Sequence, residues 1–106
     1  APGIKTSLEG LASKTAQLPM VELDAPKTVI GKNTKHCMQA GVIFGFAGLV
    51  EYMVKKIKKE LKRDDVYTVA TGGFSTVIAK EIGCIDAVDK LLTLKGLNYL
   101  YRLNEE

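Results

Sequence analysis

The chain of 106 residues is 46% hydrophobic and 25% charged, with a formal net charge of +3. This length fits one compact domain or part of one, and the apolar fraction excludes a disordered or low-complexity chain. We therefore expect a packed core. The two cysteines, Cys37 and Cys84, are too few for a secreted disulfide scaffold, so we expect a reducing, cytoplasmic setting.

The longest apolar run, residues 40–50, is about half of what spans a bilayer, and the N-terminus lacks a signal-peptide pattern. These features predict a soluble protein without a membrane partner. The chain opens on Ala1-Pro2-Gly3 instead of an initiator Met. We interpret this opening as a processed start or as a piece of something longer.

Helical periodicity dominates the first half of the chain. Apolar residues at steps of three and four predict a helix over residues 4–18, which Pro19 closes. Residues 19–32 contain prolines, a glycine and β-branched residues, which indicates a connector or a short edge strand. Asn33 or Thr34 can then cap a long helix. The predicted core stripe of this helix is Met38, Val42, Phe46, Leu49, Met53, Ile57 and Leu61.

Three glycines share one face of this long helix. Gly41, Gly45 and Gly48 lie at helical spacing, although each costs up to about 1 kcal/mol relative to Ala in a helix interior. We expect a neighbour to approach closely at this face. The neighbour is either another helix of the same chain or a second copy of it, and the pattern does not choose between them.

The second half of the chain combines one strand with two helices. Residues 66–70 are nearly all strand-favouring and predict a buried central strand, which ends at Thr71-Gly72-Gly73. A helix over 75–82 follows and ends at Gly83. A last helix is predicted over 93–103, capped by Thr93, with these residues facing inward: Leu94, Leu97, Leu100 and Tyr101. One strand leaves two unpaired edges, so its partners come from weaker segments or from outside the chain.

Two places are candidates for ligand binding. Glycines in the turn 71–73 permit positive φ and close backbone approach, so this turn either holds a nucleotide or is only a tight connection. Thr34 is either a helix cap or a cap whose hydroxyl also reaches a polar ligand. The residues alone leave both pairs of alternatives open.

The ionisable residues favour structural roles. His36, the only histidine, has no second ligand at metal-binding spacing, and we interpret it as a solvated helix residue. Residues 55–63 contain six basic side chains and one acidic side chain, with no aromatic residue between them to stack on bases, which favours a solvated helix face over a nucleic-acid site. Four aspartates are interpreted as local caps in turns: Asp64, Asp65, Asp86 and Asp89.

Several short motifs in a fixed order carry a resemblance to a known family. The chain resembles the C-terminal portion of type III pantothenate kinases over nearly its whole length. The motifs are residues 1–4, 15–19, 31–34, Met38-x-x-Gly41, 71–73 and 92–97. No single motif is diagnostic, but their order and spacing make the assignment specific.

The resemblance implies a fold and an activity. The implied fold is the α/β ribonuclease H-like fold of actin-like ATPases, with residues 1–106 as a single, helix-rich, partial domain that forms the C-terminal lobe of a two-lobe kinase. The implied activity is phosphorylation of pantothenate to 4'-phosphopantothenate in coenzyme A synthesis. ATP with Mg²⁺, a monovalent cation (K⁺ or NH₄⁺), and a homodimer in the cytoplasm are implied for the full-length enzyme.

The resemblance also implies contact residues. The implied substrate-binding residues are Pro2, Gly3, Ile4 and Thr34. The first three would border the pantothenate pocket from the partner subunit, and the threonine would donate a hydrogen bond to pantothenate. The implied ATP-contacting residues are Thr71, Gly72 and Gly73, which would lie against the adenosine.

The family's charged motifs are missing from this sequence. Neither the Asp-x-Gly-Asn-Thr phosphate motif nor the Gly-x-Asp-Arg motif with the general-base aspartate is present, and neither is the aspartate that helps to hold the monovalent cation. We therefore predict no catalytic residue and no metal ligand in this chain, and no kinase activity of the 106 residues alone. The alternative is a non-catalytic interaction or transcriptional accessory module related to the family. Nucleic-acid binding through residues 55–63 ranks last.

Overall fold

The computed structural model describes residues 3–14 and 24–105. In the described part of the chain, helices predominate and two short strands form a small sheet. The elements in chain order are α1 (Ile4–Lys14), α2 (Thr34–Leu61), β1 (Val69–Ala70), α3 (Ser75–Ala79), β2 (Ala87–Val88) and α4 (Leu92–Leu103). The predicted helices are therefore confirmed within these bounds. Residues 15–23, which include the predicted end of the first helix, lie outside the described residues.

A side-chain cap starts the long helix α2. Asn33 has an extended backbone, and its Oδ1 accepts a hydrogen bond of 2.9 Å from the amide of His36. Of the two predicted capping residues, Asn33 is thus the cap, and Thr34 is the first helical residue. Residues 24–32, which precede the cap, form no helix or strand, as predicted for a connector. The helix ends at Leu61, and the left-handed backbone of the capping residue Lys62 lets its amide donate to the carbonyls of Lys58 and Lys59.

The buried face of α2 covers less of the helix than the periodicity predicts. Met38 and Val42 are buried and Phe46 is half-buried, whereas the rest of the predicted stripe is exposed. Ile43 and Ala47, on the adjacent helical row, are buried instead. The physical reason is that α2 packs on α1 and α3 and then extends beyond them. The exposed stripe residues are Leu49, Met53, Ile57 and Leu61.

The sheet is a parallel pair of strands joined through α3. Val69 pairs with Ala87 and Ala70 with Val88, so β2 supplies a partner that the sequence pattern did not reveal. The prediction of a buried central strand over 66–70 is wrong for this chain, because exposed and half-buried residues alternate along the segment. One covered face and one open face produce this alternation. Both outer edges of the pair lack a strand partner among the described residues.

The last helix, α4, packs against none of the other described helices or strands. The prediction that Leu94, Leu97, Leu100 and Tyr101 face inward is therefore wrong for this chain, since each is more than half exposed. Thr93 is not the cap either. The cap position is Leu91, whose amide donates a hydrogen bond to the Asp89 carboxylate.

In the part of the chain that the structure describes, two small apolar clusters form the core. Met38 and Val42 make one, and Ala47, Ile78 and Ile82 make the other. Ile4 and Phe46 pack against both clusters and so join them. The expected packed core is therefore present among the described residues but small. The radius of gyration is 17.1 Å, against about 13 Å for a compact domain of this length.

Among the described helices, α2 is long and apolar enough to cross a membrane by length and composition. The uninterrupted apolar run of residues 40–50 is much shorter than this helix, so the run alone underestimates the length of the apolar helix. One such helix is weak evidence, because the core helix of a soluble protein meets the same criterion.

Candidate functional site

The turn after β1 has the backbone that the glycines predict. Gly72 has φ +104°, a conformation that side chains with a Cβ rarely adopt, and its surroundings are open. Its carbonyl accepts hydrogen bonds from the amide of Ser75 at 3.3 Å and from the Ser75 hydroxyl at 2.7 Å. The amide at the start of α3 is thus occupied within the chain. The ligand-accessible surface here is the exposed turn 71–73 itself.

An open cavity of about 590 Å³ lies beside this turn. Its lining includes the turn 71–73 and, from the start of α1, Gly3 and Ile4. The structure therefore brings together residues implied for the pantothenate pocket and residues implied for ATP, within one chain. Pro2, the remaining residue of that first segment, lies outside the described residues.

The cavity lining is apolar and carries no charge among the described residues. Phe46, Val50 and Ile78 are among its apolar residues, and the polar groups come from the turn and from side chains such as Ser75. A volume of this size is typical of a small-molecule site, which combines an apolar wall with a few polar groups. Such a lining suits the base and ribose of a nucleoside and offers no cation to a triphosphate.

Thr34 lies in a second, adjoining groove of about 540 Å³ and not in the first cavity. Ser7 of α1, Cys37 and Met38 also line this groove. Because Asn33 makes the capping bond, the Thr34 hydroxyl has no hydrogen-bond partner among the described residues. The prediction that Thr34 is a cap is therefore wrong, and its hydroxyl is left available to a ligand in the groove.

Gly31 fixes the approach of the chain to this groove. A Cβ at Gly31 would lie 2.8 Å from the Cys37 Cα and amide nitrogen, closer than real Cβ contacts allow, and would also meet the Cys37 Sγ. The glycine in the motif 31–34 therefore permits the connector to pass against the first turn of α2. This contact places Asn33 and Thr34 at the helix start.

The glycine face of α2 is open in this chain. Gly41, Gly45 and Gly48 are exposed, and a Cβ at any of them would meet nothing within 4 Å. Of the two predicted neighbours, a helix of the same chain is thus absent from this face in the described part. Gly41 also borders the groove of Thr34.

Two of the four aspartates predicted as local caps, Asp65 and Asp89, pair with nearby basic residues. Asp86 instead accepts a hydrogen bond of 2.6 Å from the amide of Thr68, 18 residues away in the sequence. The Asp89 carboxylate accepts a hydrogen bond of 2.8 Å from Lys95 and one of 3.0 Å from the Leu91 amide, and these bonds lower its pKa. A bidentate pair with Arg63 lowers the pKa of Asp65 in the same way. Both carboxylates are committed to local structure, as the sequence predicts for aspartates in turns.

Within residues 55–63 the basic side chains are exposed or half-exposed, as expected of a solvated face. Lys55 forms an ion pair of 2.8 Å with Glu51, which raises the pKa of the lysine. Lys56 stacks 5.7 Å from the centre of the Tyr52 ring. Ile57 and Leu61, predicted to continue the core stripe through this segment, are about half exposed.

The described residues do not fit a metal ion. No group of three or more His, Cys, Asp or Glu side chains in residues 3–14 and 24–105 is placed to hold one. The ring nitrogen Nδ1 of His36 lies 3.3 Å from the side-chain amide nitrogen of Asn33 at the helix start, a weak hydrogen bond.

Sequence reasoning missed two residues of the site. Phe46 appears in the sequence only as one member of a core stripe, yet it lines both the cavity and the groove. Ser75, which is buried, holds the Gly72 carbonyl. A serine at the helix start just after a Gly-Gly turn was the available signal for the latter.

Comparison with known proteins agrees with the motifs. A family model described as type III pantothenate kinase matches residues 1–56. A type III pantothenate kinase of Finegoldia magna is 49% identical over 107 residues, covering 99% of this chain and 41% of the relative. One of Bacillus cytotoxicus is 48% identical over 103 residues, covering 97% of this chain and 39% of the relative. The chain thus spans about two fifths of the length of these curated relatives.

Proposed function

Because the chain belongs to the type III pantothenate kinase family, we propose that the whole protein phosphorylates pantothenate to 4'-phosphopantothenate with ATP, in coenzyme A synthesis. The family implies an actin-like ATPase fold, and the helix-rich chain with its small parallel sheet is consistent with part of one. We assign residues 1–106 to the C-terminal lobe of a two-lobe kinase. For the whole protein we also propose a cytoplasmic location.

One observation supports the assignment of the two substrates to separate parts of the proposed site. The charge-free cavity at the turn 71–73 adjoins the groove with the free Thr34 hydroxyl. In this proposal the cavity holds the adenosine of ATP, with Thr71, Gly72 and Gly73 against it. The groove holds pantothenate, to which Thr34 donates a hydrogen bond. Gly3 and Ile4 line the cavity and not the groove of their own chain, and together with Pro2 they are proposed to border the pantothenate bound by the partner subunit.

This chain supplies binding surfaces and no reactive group. Phosphoryl transfer needs stabilisation of negative charge and a group that accepts the proton of the attacking hydroxyl. The cavity lining has no charged side chain among the described residues, and the sequence lacks both charged family motifs. Mg²⁺, the monovalent cation and the general base therefore belong to the remaining part of the protein, and the 106 residues alone are inactive.

The open glycine face supports a homodimer. Gly41, Gly45 and Gly48 allow a second helix to approach α2 closely, and no described residue of this chain occupies that face. A second copy on this face would also stand next to the groove of Thr34, since Gly41 borders it. The proposed partners are therefore pantothenate, ATP and a second copy, with no nucleic acid or membrane.

The Thr34 hydroxyl gives the direct test of the proposed function. In the full-length protein, Thr34→Ala is expected to raise the KM for pantothenate roughly 2- to 10-fold, the worth of one hydrogen bond, with the KM for ATP unchanged. Turnover is measured as ATP-dependent formation of phosphorylated pantothenate. Thr93→Ala, at a first-turn threonine that lines neither site, is the matched control.

Two results would contradict the proposal. Absence of pantothenate phosphorylation by the unsubstituted full-length protein excludes the kinase, and favours the non-catalytic module if neither ligand raises its melting temperature. A normal pantothenate KM in Thr34→Ala removes the assignment of the groove.

A further inference from the structure

Phe46 stands where the two candidate binding sites meet. It is the one described residue that lines both the cavity at the turn 71–73 and the groove of Thr34. Its side chain is half-buried, so part of the ring faces open space while the rest is packed. The two volumes, about 590 and 540 Å³, are therefore neighbours with a common aromatic boundary.

The ring is held from several directions. Together with Ile4 it packs against the cluster of Met38 and Val42 and against the cluster that contains Ile78. The buried residues of these clusters belong to α2 itself, to α3 and to the segment just after α3, and Ile4 of α1 packs against the same clusters. A side chain fixed in this way acts as a rigid wall, because moving it requires both clusters to repack.

We propose that Phe46 separates the nucleoside and acceptor sites and keeps each ligand in its own compartment. The inference rests on the proposed function. Without the ring, cavity and groove join into one apolar space. A nucleoside then reaches into the groove, and each substrate loses the wall that holds it in place.

The expected kinetic signature is a change in binding. Losing a wall that touches each ligand equally in the ground state and in the transition state raises KM and leaves kcat nearly unchanged. Removing the burial of one methylene group weakens binding by about 4-fold. A residue that only stabilises the fold would instead reduce the active fraction and kcat, with KM unchanged.

Adenosine is the probe for the partition. In the unsubstituted full-length protein, adenosine is expected to compete with ATP and to leave the KM for pantothenate unchanged. In Phe46→Ala, adenosine is expected to compete with both substrates, and both KM values rise about 4-fold or more. Phe44→Ala is the matched control, because Phe44 is also a half-buried phenylalanine of α2 but lines neither compartment.

Phe46→Leu covers the case in which the alanine variant does not fold. It keeps an apolar side chain and is expected to show the same changes in smaller measure. Active Phe46 variants in which adenosine still competes only with ATP would overturn the inference and leave the proposed function standing. Equal changes in Phe44→Ala would also overturn it. A full-length protein that does not phosphorylate pantothenate overturns the proposed function, and this inference with it.

Discussion

Gly72 has the most constrained backbone of the candidate site. Its φ of +104° lies outside the range that residues with a Cβ tolerate, whereas Gly73 next to it has no positive φ. A Cβ at either glycine meets open space, so only the backbone conformation distinguishes them. This pair separates the effect of conformation from that of crowding.

Gly72→Ala is expected to destabilise the chain by about 1–3 kcal/mol, because alanine is strained at this φ. Gly73→Ala serves as the control and is expected to change the free energy of unfolding by less than about 0.5 kcal/mol. Urea unfolding followed by circular dichroism measures both. Equal effects of the two substitutions would show that the turn relaxes to another backbone.

At the residue scale, local chemistry was predictable and spatial neighbours were not. Asn33 as a cap and the glycine turn at 71–73 follow from rules that act over a few residues. The meeting of Ile4 with the turn depends on how α1 packs on α2, which no short motif encodes. The role of Phe46 as a shared boundary was hidden for the same reason.

The exposed glycines of α2 are expected to tolerate replacement by alanine. Since a Cβ at Gly45 meets nothing within 4 Å, alanine there should improve helix propensity without a clash. Gly45→Ala is expected to stabilise the 106-residue chain by roughly 0.5–1 kcal/mol. Thermal unfolding of the dilute chain measures it.

The same substitution has the opposite effect if the glycine face binds a second copy in the full-length protein. Light scattering should then show a weaker dimer for Gly45→Ala, since a methyl group keeps the helices apart. Gly10→Ala, at a glycine of α1 with open space around it, is the control and should leave the mass unchanged. A dimer that tolerates Gly45→Ala excludes this face as its interface.

Element type was easier to predict than element length. Periodicity over many residues located α2 and α4, because each long helix repeats its pattern several times. β2 is only two residues long, too short for any pattern, and its pairing with β1 depends on hydrogen bonds between distant segments. α3 ends at Ala79, before the predicted end at residue 82, although Ile82 is buried. An apolar residue in the pattern therefore marked burial and not the end of the helix.

The whole molecule has more apolar surface than its own core covers. On α4 the apolar residues from Leu94 round to Tyr99 span an arc of roughly 220° at 3.6 residues per turn. Periodicity identified an apolar face on this helix, but its prediction that the face points inward is wrong for this chain. It could not tell what covers the face, because periodicity identifies an apolar side of a helix without identifying its neighbour.

Substitutions at Leu97 and Ile78 compare an exposed apolar side chain with a buried one. In the 106-residue chain, Leu97→Ala is expected to change the free energy of unfolding by less than about 0.5 kcal/mol, because Leu97 is 58% exposed. Ile78→Ala, at a residue only 7% exposed, is expected to cost about 2–5 kcal/mol. Chemical unfolding of both variants checks the pair. A loss above about 2 kcal/mol for Leu97→Ala would show that α4 is packed in solution.

The uncharged lining of the cavity beside the turn 71–73 determines what this chain can distinguish. In the proposed adenosine site, a wall that contacts only base and ribose would bind AMP, ADP and ATP alike, because these molecules differ only in phosphates that it would not contact. If the cavity holds the adenosine as proposed, any preference for the triphosphate over the diphosphate has to come from groups that contact the phosphates, and none of those groups lies in the described part of this lining.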